Sequence, residues 1–119
     1  MRLNHIDLPV PDVAATQDFF VTWLGFVHER TLGQDGLAIL RDPAGLVLVL
    51  SRLRRDGAQT WPIPFHIGFH LDSRAAVSDL QARMAAGGLA VEPPAMQHGA
   101  FAFYLTAPGD ILVEVAHRG

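Results

Sequence analysis

Two histidines and one glutamate of this 119-residue chain stand in short apolar runs, where each could ligate a metal. His5 lies in Leu3-Asn4-His5-Ile6-Asp7-Leu8, and His66 in Phe65-His66-Ile67-Gly68-Phe69-His70. Glu114 interrupts Ile111-Leu112-Val113-Glu114-Val115. A carboxylate in such a run is costly to bury without a partner, and a cation would offset that cost. Two imidazoles and one carboxylate suit a borderline divalent ion (Mn, Fe, Co, Ni or Zn) and leave positions open for water or substrate. The chain has no cysteine, which excludes disulfides and thiolate catalysis. Any metal must therefore be held by nitrogen and oxygen donors.

Positioning these groups falls to two similar halves. The first half reads as a strand over 3–8, closed by Pro9 and Pro11, then a helix over 13–24 capped by Asp12 and ended by Gly25. Strand-like runs follow at 26–31, 37–41 and 46–50, the last two separated by the turn Asp42-Pro43-Ala44-Gly45. The second half repeats the order: a strand over 65–71, a helix from the Ser73 cap to residue 86, and a stop at Gly87-Gly88. Strands over 90–92, 101–106 and 111–116 complete it, with Ala107-Pro108-Gly109-Asp110 as the final turn. Aligned this way, His5 falls opposite His66, Pro43 opposite Pro108 and Val49 opposite Glu114.

The class expected is α+β: two βαβββ modules, 1–51 and 64–119, joined by a loop over 52–63 and forming one domain. Neither module can bury its sheet alone, so they should pair, within the chain or between chains. Alternation along a strand places Asp7 on the face of His5, and Gly68 and His70 on the face of His66. Gly68 would leave room there for a ligand. Tyr104 could donate a hydrogen bond to a substrate oxygen, and His70 or His98 could carry a proton near neutral pH. In the connecting loop, Arg52 and Arg54 could attract an anionic substrate against which Trp61 packs.

Composition narrows the class further. Half of the residues are hydrophobic and 18% are charged, as in a folded globular protein. The net charge of -3 argues against nucleic acid as the main partner. No apolar run reaches the roughly 18 residues of a membrane span. The strand-like pattern begins at once, so a signal peptide is not expected, and a cytoplasmic location fits the lack of cysteine.

The chain resembles the vicinal oxygen chelate superfamily, which comprises glyoxalases, fosfomycin- and bleomycin-resistance proteins and extradiol dioxygenases. The resemblance runs from Leu3-Asn4-His5-Ile6 through the Asp12 helix to Phe103-Tyr104 and Val113-Glu114-Val115. It implies paired βαβββ modules in a partly closed, cup-shaped mixed sheet flanked by helices. It also implies a divalent metal on His5, His66 and Glu114, a small-molecule substrate, and a homodimer. Glyoxalase I-like members add a glutamate where this chain has Val49. Fosfomycin transferases and extradiol dioxygenases place a tyrosine at the spacing that Tyr104 has from Glu114, but the transferases' phosphonate-binding lysine has no counterpart in Pro93-Pro94-Ala95-Met96-Gln97-His98. The function implied is a metal-dependent enzyme, glyoxalase/lyase-like or transferase-like, acting on a small oxygenated molecule chelated through two oxygens. The alternatives are an iron(II) dioxygenase and a non-catalytic drug-sequestering protein of the bleomycin-resistance type.

Overall fold

The structure is a computed structural model that describes residues 1–53 and 61–119. The chain divides into two compact units, Met1–Thr60 and Trp61–Gly119. Each is a βαβββ module with one four-stranded mixed sheet and one helix.

The first unit runs β1 (His5–Val10), α1 (Val13–Trp23), β2 (Val27–Leu32), β3 (Leu37–Arg41) and β4 (Val47–Arg52). Its strand order is β1-β4-β3-β2, with β1 and β4 parallel and the other pairs antiparallel. A parallel pair needs a crossover, and the helix forms part of it. The Asp12 carboxylate accepts from the Ala15 backbone N–H at 2.9 Å, so the expected cap is present. Val13, Thr16, Phe19 and Phe20 form the buried stripe of α1. They pack with Leu8, Val10, Leu40, Leu48 and Leu50 from one face of the sheet. Phe19, Phe20 and Phe26 meet edge to face, with successive ring centroids 5.5 Å apart. The first strand continues through Pro9 instead of ending there. A proline, which lacks an N–H to donate, is tolerated because β1 is an edge strand.

The second unit repeats the plan with β5 (His66–His70), α2 (Arg74–Ala86), β6 (Ala95–Gln97), β7 (Ala100–Ala107) and β8 (Ile111–His117). The order is β5-β8-β7-β6, again with the parallel pair at one edge. Ser73 caps α2 by accepting from Ala76 N–H at 3.0 Å. Val77, Leu80 and Met84 recur at the same spacing as Val13, Thr16 and Phe20, and are buried together with Phe103, Leu105, Ile111, Val113 and Val115.

One expected strand lies elsewhere. Residues 90–92 are not a strand; the edge strand is β6, beyond Pro93-Pro94. Its position is set by its hairpin with β7, where Gln97 pairs with Ala100. The two-residue turn between them has positive φ at both His98 (50°) and Gly99 (80°). Such turns match the strand twist, and they fix the pairing more firmly than the apolar run at 89–91 can.

Register confirms the internal repeat. His5 pairs with Val47 as His66 pairs with Leu112, and Asp7 with Val49 as Gly68 with Glu114. Across the next strand, Ile39 opposes Val49 as Tyr104 opposes Glu114. Among the described residues, no helix is long and apolar enough to cross a membrane.

Candidate functional site

The face of the second sheet turned away from α2 carries the polar groups. Side-chain alternation places His66, Gly68 and His70 of β5 on it, beside Glu114 of β8 and Tyr104 of β7. Glu114 is 9% exposed, so its carboxylate must be satisfied locally. One oxygen is: the Tyr104 hydroxyl donates to Oε2 at 2.7 Å. The other oxygen, Oε1, lies 4.0 Å from His66 Nε2.

The His66 ring is oriented from behind. Its Nδ1 lies 2.9 Å from the Pro64 carbonyl oxygen, which only accepts, so Nδ1 carries the proton of that bond. In the neutral ring Nε2 then keeps its lone pair, aimed toward Glu114 Oε1. At 4.0 Å the two atoms are too far apart to share a proton, and the gap between them leaves room for a cation. A hydrogen bond at the far ring nitrogen is the usual way a metal-ligating histidine is held. The rings of His66 and Tyr104 also meet edge to face, with centroids 6.0 Å apart.

Gly68 makes this arrangement possible. A Cβ at that position would lie 3.0 Å from Glu114 Oε1. The carboxylate therefore reaches sideways across β5 and lies over residue 68.

Tyr104 titrates above its ordinary value, chiefly because its hydrogen bond to Glu114 favours the protonated phenol, with burial and the Glu114 charge adding to the effect. It is therefore a proton-bearing donor near neutral pH.

In the first unit, His5 Nδ1 lies 3.1 Å from the side-chain oxygen of the adjacent Asn4. On the same face, Ser51 Oγ donates to Asp7 Oδ1 at 2.6 Å. Neither Asn4 nor Ser51 was singled out by sequence. Only the alternation that put Asp7 beside His5 pointed here.

The remaining expected residues are spread more widely. His70 is exposed on the Glu114 face, next to Ala116. His98 is in the β6–β7 turn, and Ala100 beyond it is four residues, about 13 Å of strand, from Tyr104. The structure thus does not bring His98 to Glu114. The Arg52 guanidinium donates to the carbonyls of Gln34 and Asp35, tying down the β2–β3 loop. Trp61 donates from Nε1 to the Gly109 carbonyl at 3.2 Å and stacks on Phe65 with centroids 4.7 Å apart. Arg54 lies outside the described residues.

For a metal, the donor types fit but their number falls short. The second unit supplies one imidazole and one carboxylate. Among the described residues, no group of three or more His, Cys, Asp or Glu side chains is close enough to hold an ion.

Residues 2–115 match the model of the Glyoxalase/Bleomycin resistance protein/Dioxygenase superfamily, and the chain belongs to that family. Among solved structures, it is similar to a possible glyoxalase from Bacillus cereus, with 34% identity, 98% of each chain covered and a TM-score of 0.87. A glyoxylase/bleomycin resistance protein/dioxygenase domain from Frankia shares the fold at 20% identity, with 100% of this chain and 98% of that one covered and a TM-score of 0.84. A lactoylglutathione lyase from Agrobacterium tumefaciens does so at 21% identity, covering 98% and 92%, with a TM-score of 0.76. No curated protein matches the chain. Membership of this superfamily supports small-molecule binding as the general function.

Proposed function

We propose that this protein is a metal-dependent enzyme acting on a small oxygenated molecule, with lyase chemistry of the glyoxalase type ahead of transferase chemistry. The observation that carries the reading is the opposition of His66 Nε2 and Glu114 Oε1 over Gly68, each with its other polar atom already bonded. His5, at the corresponding place of the first unit, is the third donor we assign, from the same chain or from a second copy. The similarity to a possible glyoxalase supports this order of preference.

A divalent ion on these donors supplies Lewis acidity toward two adjacent substrate oxygens. The chain's own residues do the rest. Glu114 presents a single oxygen, because Tyr104 holds the other. Gly68 keeps the space above β5 open for substrate. His70, exposed on the same face, is the proton carrier in this reading, and Tyr104 spends its one O–H on Glu114, so it acts by holding the carboxylate and not by donating to a substrate oxygen.

A second reading has an observation of its own. The lack of a three-donor group among the described residues favours a binding module that sequesters a small molecule without turnover.

Metal content separates the two. Protein reconstituted anaerobically with Mn, Fe, Co, Ni or Zn should take up about one ion per chain, lost in His66→Ala and Glu114→Gln. If wild-type protein takes up none of the five, the enzyme reading falls and the binding module stands.

A further inference from the structure

We propose that Trp61 is a positioning residue for the His66–Glu114 pair of the second unit. It ties the segment before β5 to the β7–β8 turn, and so holds the Pro64 carbonyl that orients His66. This inference rests on the reading above, in which His66 acts through Nε2.

The segment 61–65 has little backbone bonding of its own to fix it. Pro62 and Pro64 carry no N–H, and the Phe65 N–H donates to the Pro62 carbonyl at 2.7 Å, closing the segment into a turn. Three of the four residues 62–65 therefore have no backbone donor left to bind the sheet. The side chains within the turn do not make up the loss, since Ile63 is 97% exposed and both prolines are exposed beside it. Yet the Pro64 carbonyl has to keep its place, because it accepts from His66 Nδ1 at 2.9 Å.

Trp61 supplies the anchor. Its indole N–H donates to the Gly109 carbonyl at 3.2 Å, and its ring stacks on Phe65, 13° from parallel with centroids 4.7 Å apart. Trp61 and Phe65 are the two ends of the segment, so their stack pins the turn between them, directly before His66. In sequence Trp61 reads as a surface for substrate. In the fold its one polar atom is committed to Gly109 and one ring face to Phe65.

The other end of the anchor matters as much. Gly109 belongs to the turn Pro108-Gly109-Asp110, whose closing pair Ala107↔Ile111 sets the register that puts Tyr104 opposite Glu114. One side chain thus joins the two backbone segments on which the pair depends. With Nδ1 protonated against Pro64, His66 keeps the Nε2 lone pair toward Glu114 Oε1, 4.0 Å away. Once that carbonyl is displaced, either ring nitrogen can carry the proton.

The test reads the His66 tautomer from its imidazole nitrogen chemical shifts by NMR, in metal-free protein at a pH where imidazole is neutral. His66→Ala identifies the His66 signals among those of the six histidines. Wild-type His66 should be in the Nδ1–H form. Trp61→Ala, which loses both the bond and the stack, should give a mixture of the two tautomers. Trp61→Phe keeps a ring for Phe65 and loses the bond to Gly109, and should shift less in the same direction. Met84→Ala loosens the helix-facing core of the same unit and should leave the tautomer as in wild type. The inference is overturned if both folded Trp61 variants keep the Nδ1–H form, if Met84→Ala shifts it as far, or if wild type is already mixed. Should Trp61→Ala fail to fold, Trp61→Phe decides alone. Metal uptake by the wild-type protein judges the metal reading separately: no uptake, together with a tautomer that depends on Trp61, sinks that reading and leaves the positioning of His66 in place.

Discussion

Tyr104 and Glu114 oppose each other directly across β7 and β8, and the phenol hydroxyl holds one carboxylate oxygen at 2.7 Å. The three-residue turn at Pro108-Gly109-Asp110, closed by the pair Ala107↔Ile111, brings them together. This relationship has two consequences. It satisfies one oxygen of a buried acid, and it restrains the carboxylate so that Oε1 stays turned toward His66.

The first consequence can be read by titration. Tyr104 is the only tyrosine in the chain, so tyrosinate absorbance reports on it alone. In metal-free protein the phenol should ionise above its ordinary value of 10.0, because the Glu114 hydrogen bond favours the proton. Glu114→Gln should bring the midpoint back toward that value. The sign for stability follows from the raised folded-state pKa: the contribution is complete below pH 10, and is lost as pH rises through the folded pKa. Tyr104→Phe leaves a buried carboxylate oxygen unpaired and should destabilise by about 1–3 kcal/mol in urea unfolding. A wild-type phenol titrating at or below its ordinary value would show that the bond does not persist in solution.

The second consequence can be tested at Gly68, whose backbone is not in the left-handed region and so admits alanine. The added Cβ would press on Glu114 Oε1, which cannot retreat freely while Tyr104 holds its partner oxygen. Gly68→Ala should fold with a stability change within about 1 kcal/mol, since the residue is exposed. Its divalent-metal affinity should nonetheless fall by about tenfold. Unchanged affinity would mean that Oε1 is not a donor.

Much of this arrangement is legible in the sequence. Strand alternation and the caps at Asp12 and Ser73 give both modules, because local hydrogen bonding and burial decide them. Aligning His5 with His66 and Val49 with Glu114 anticipates the observed register. The rest depends on relations between strands. The run Ala90-Val91-Glu92 looks like a strand, yet the hairpin turn at His98–Gly99 places the edge strand after the two prolines. Ser51 gives no signal of its own, since a hydroxyl in a strand is ordinary. Its meaning comes from the Asp7 oxygen 2.6 Å away, a contact between residues far apart in sequence. Likewise Arg52 reads as a charge for substrate, whereas in the fold its hydrogen bonds go to two loop carbonyls.

The helix-facing core should be separable from the site, because the two occupy opposite faces of each sheet. Phe20 is fully buried on α1 and meets Phe19 and Phe26 edge to face, while its counterpart on α2 is Met84. Phe20→Ala removes a ring and its aromatic contacts and should cost about 3–5 kcal/mol in urea unfolding. Met84→Ala removes a flexible chain and should cost less, toward the lower end of about 2–5 kcal/mol. Neither side chain is on the face of His66 and Glu114, so both variants should keep wild-type metal affinity under conditions where they remain folded. A loss of less than about 1 kcal/mol in Phe20→Ala would show that the aromatic cluster does not secure α1 to its sheet. Reduced metal binding by folded Met84→Ala would show instead that packing beneath β8 sets the position of the Glu114 carboxylate above it.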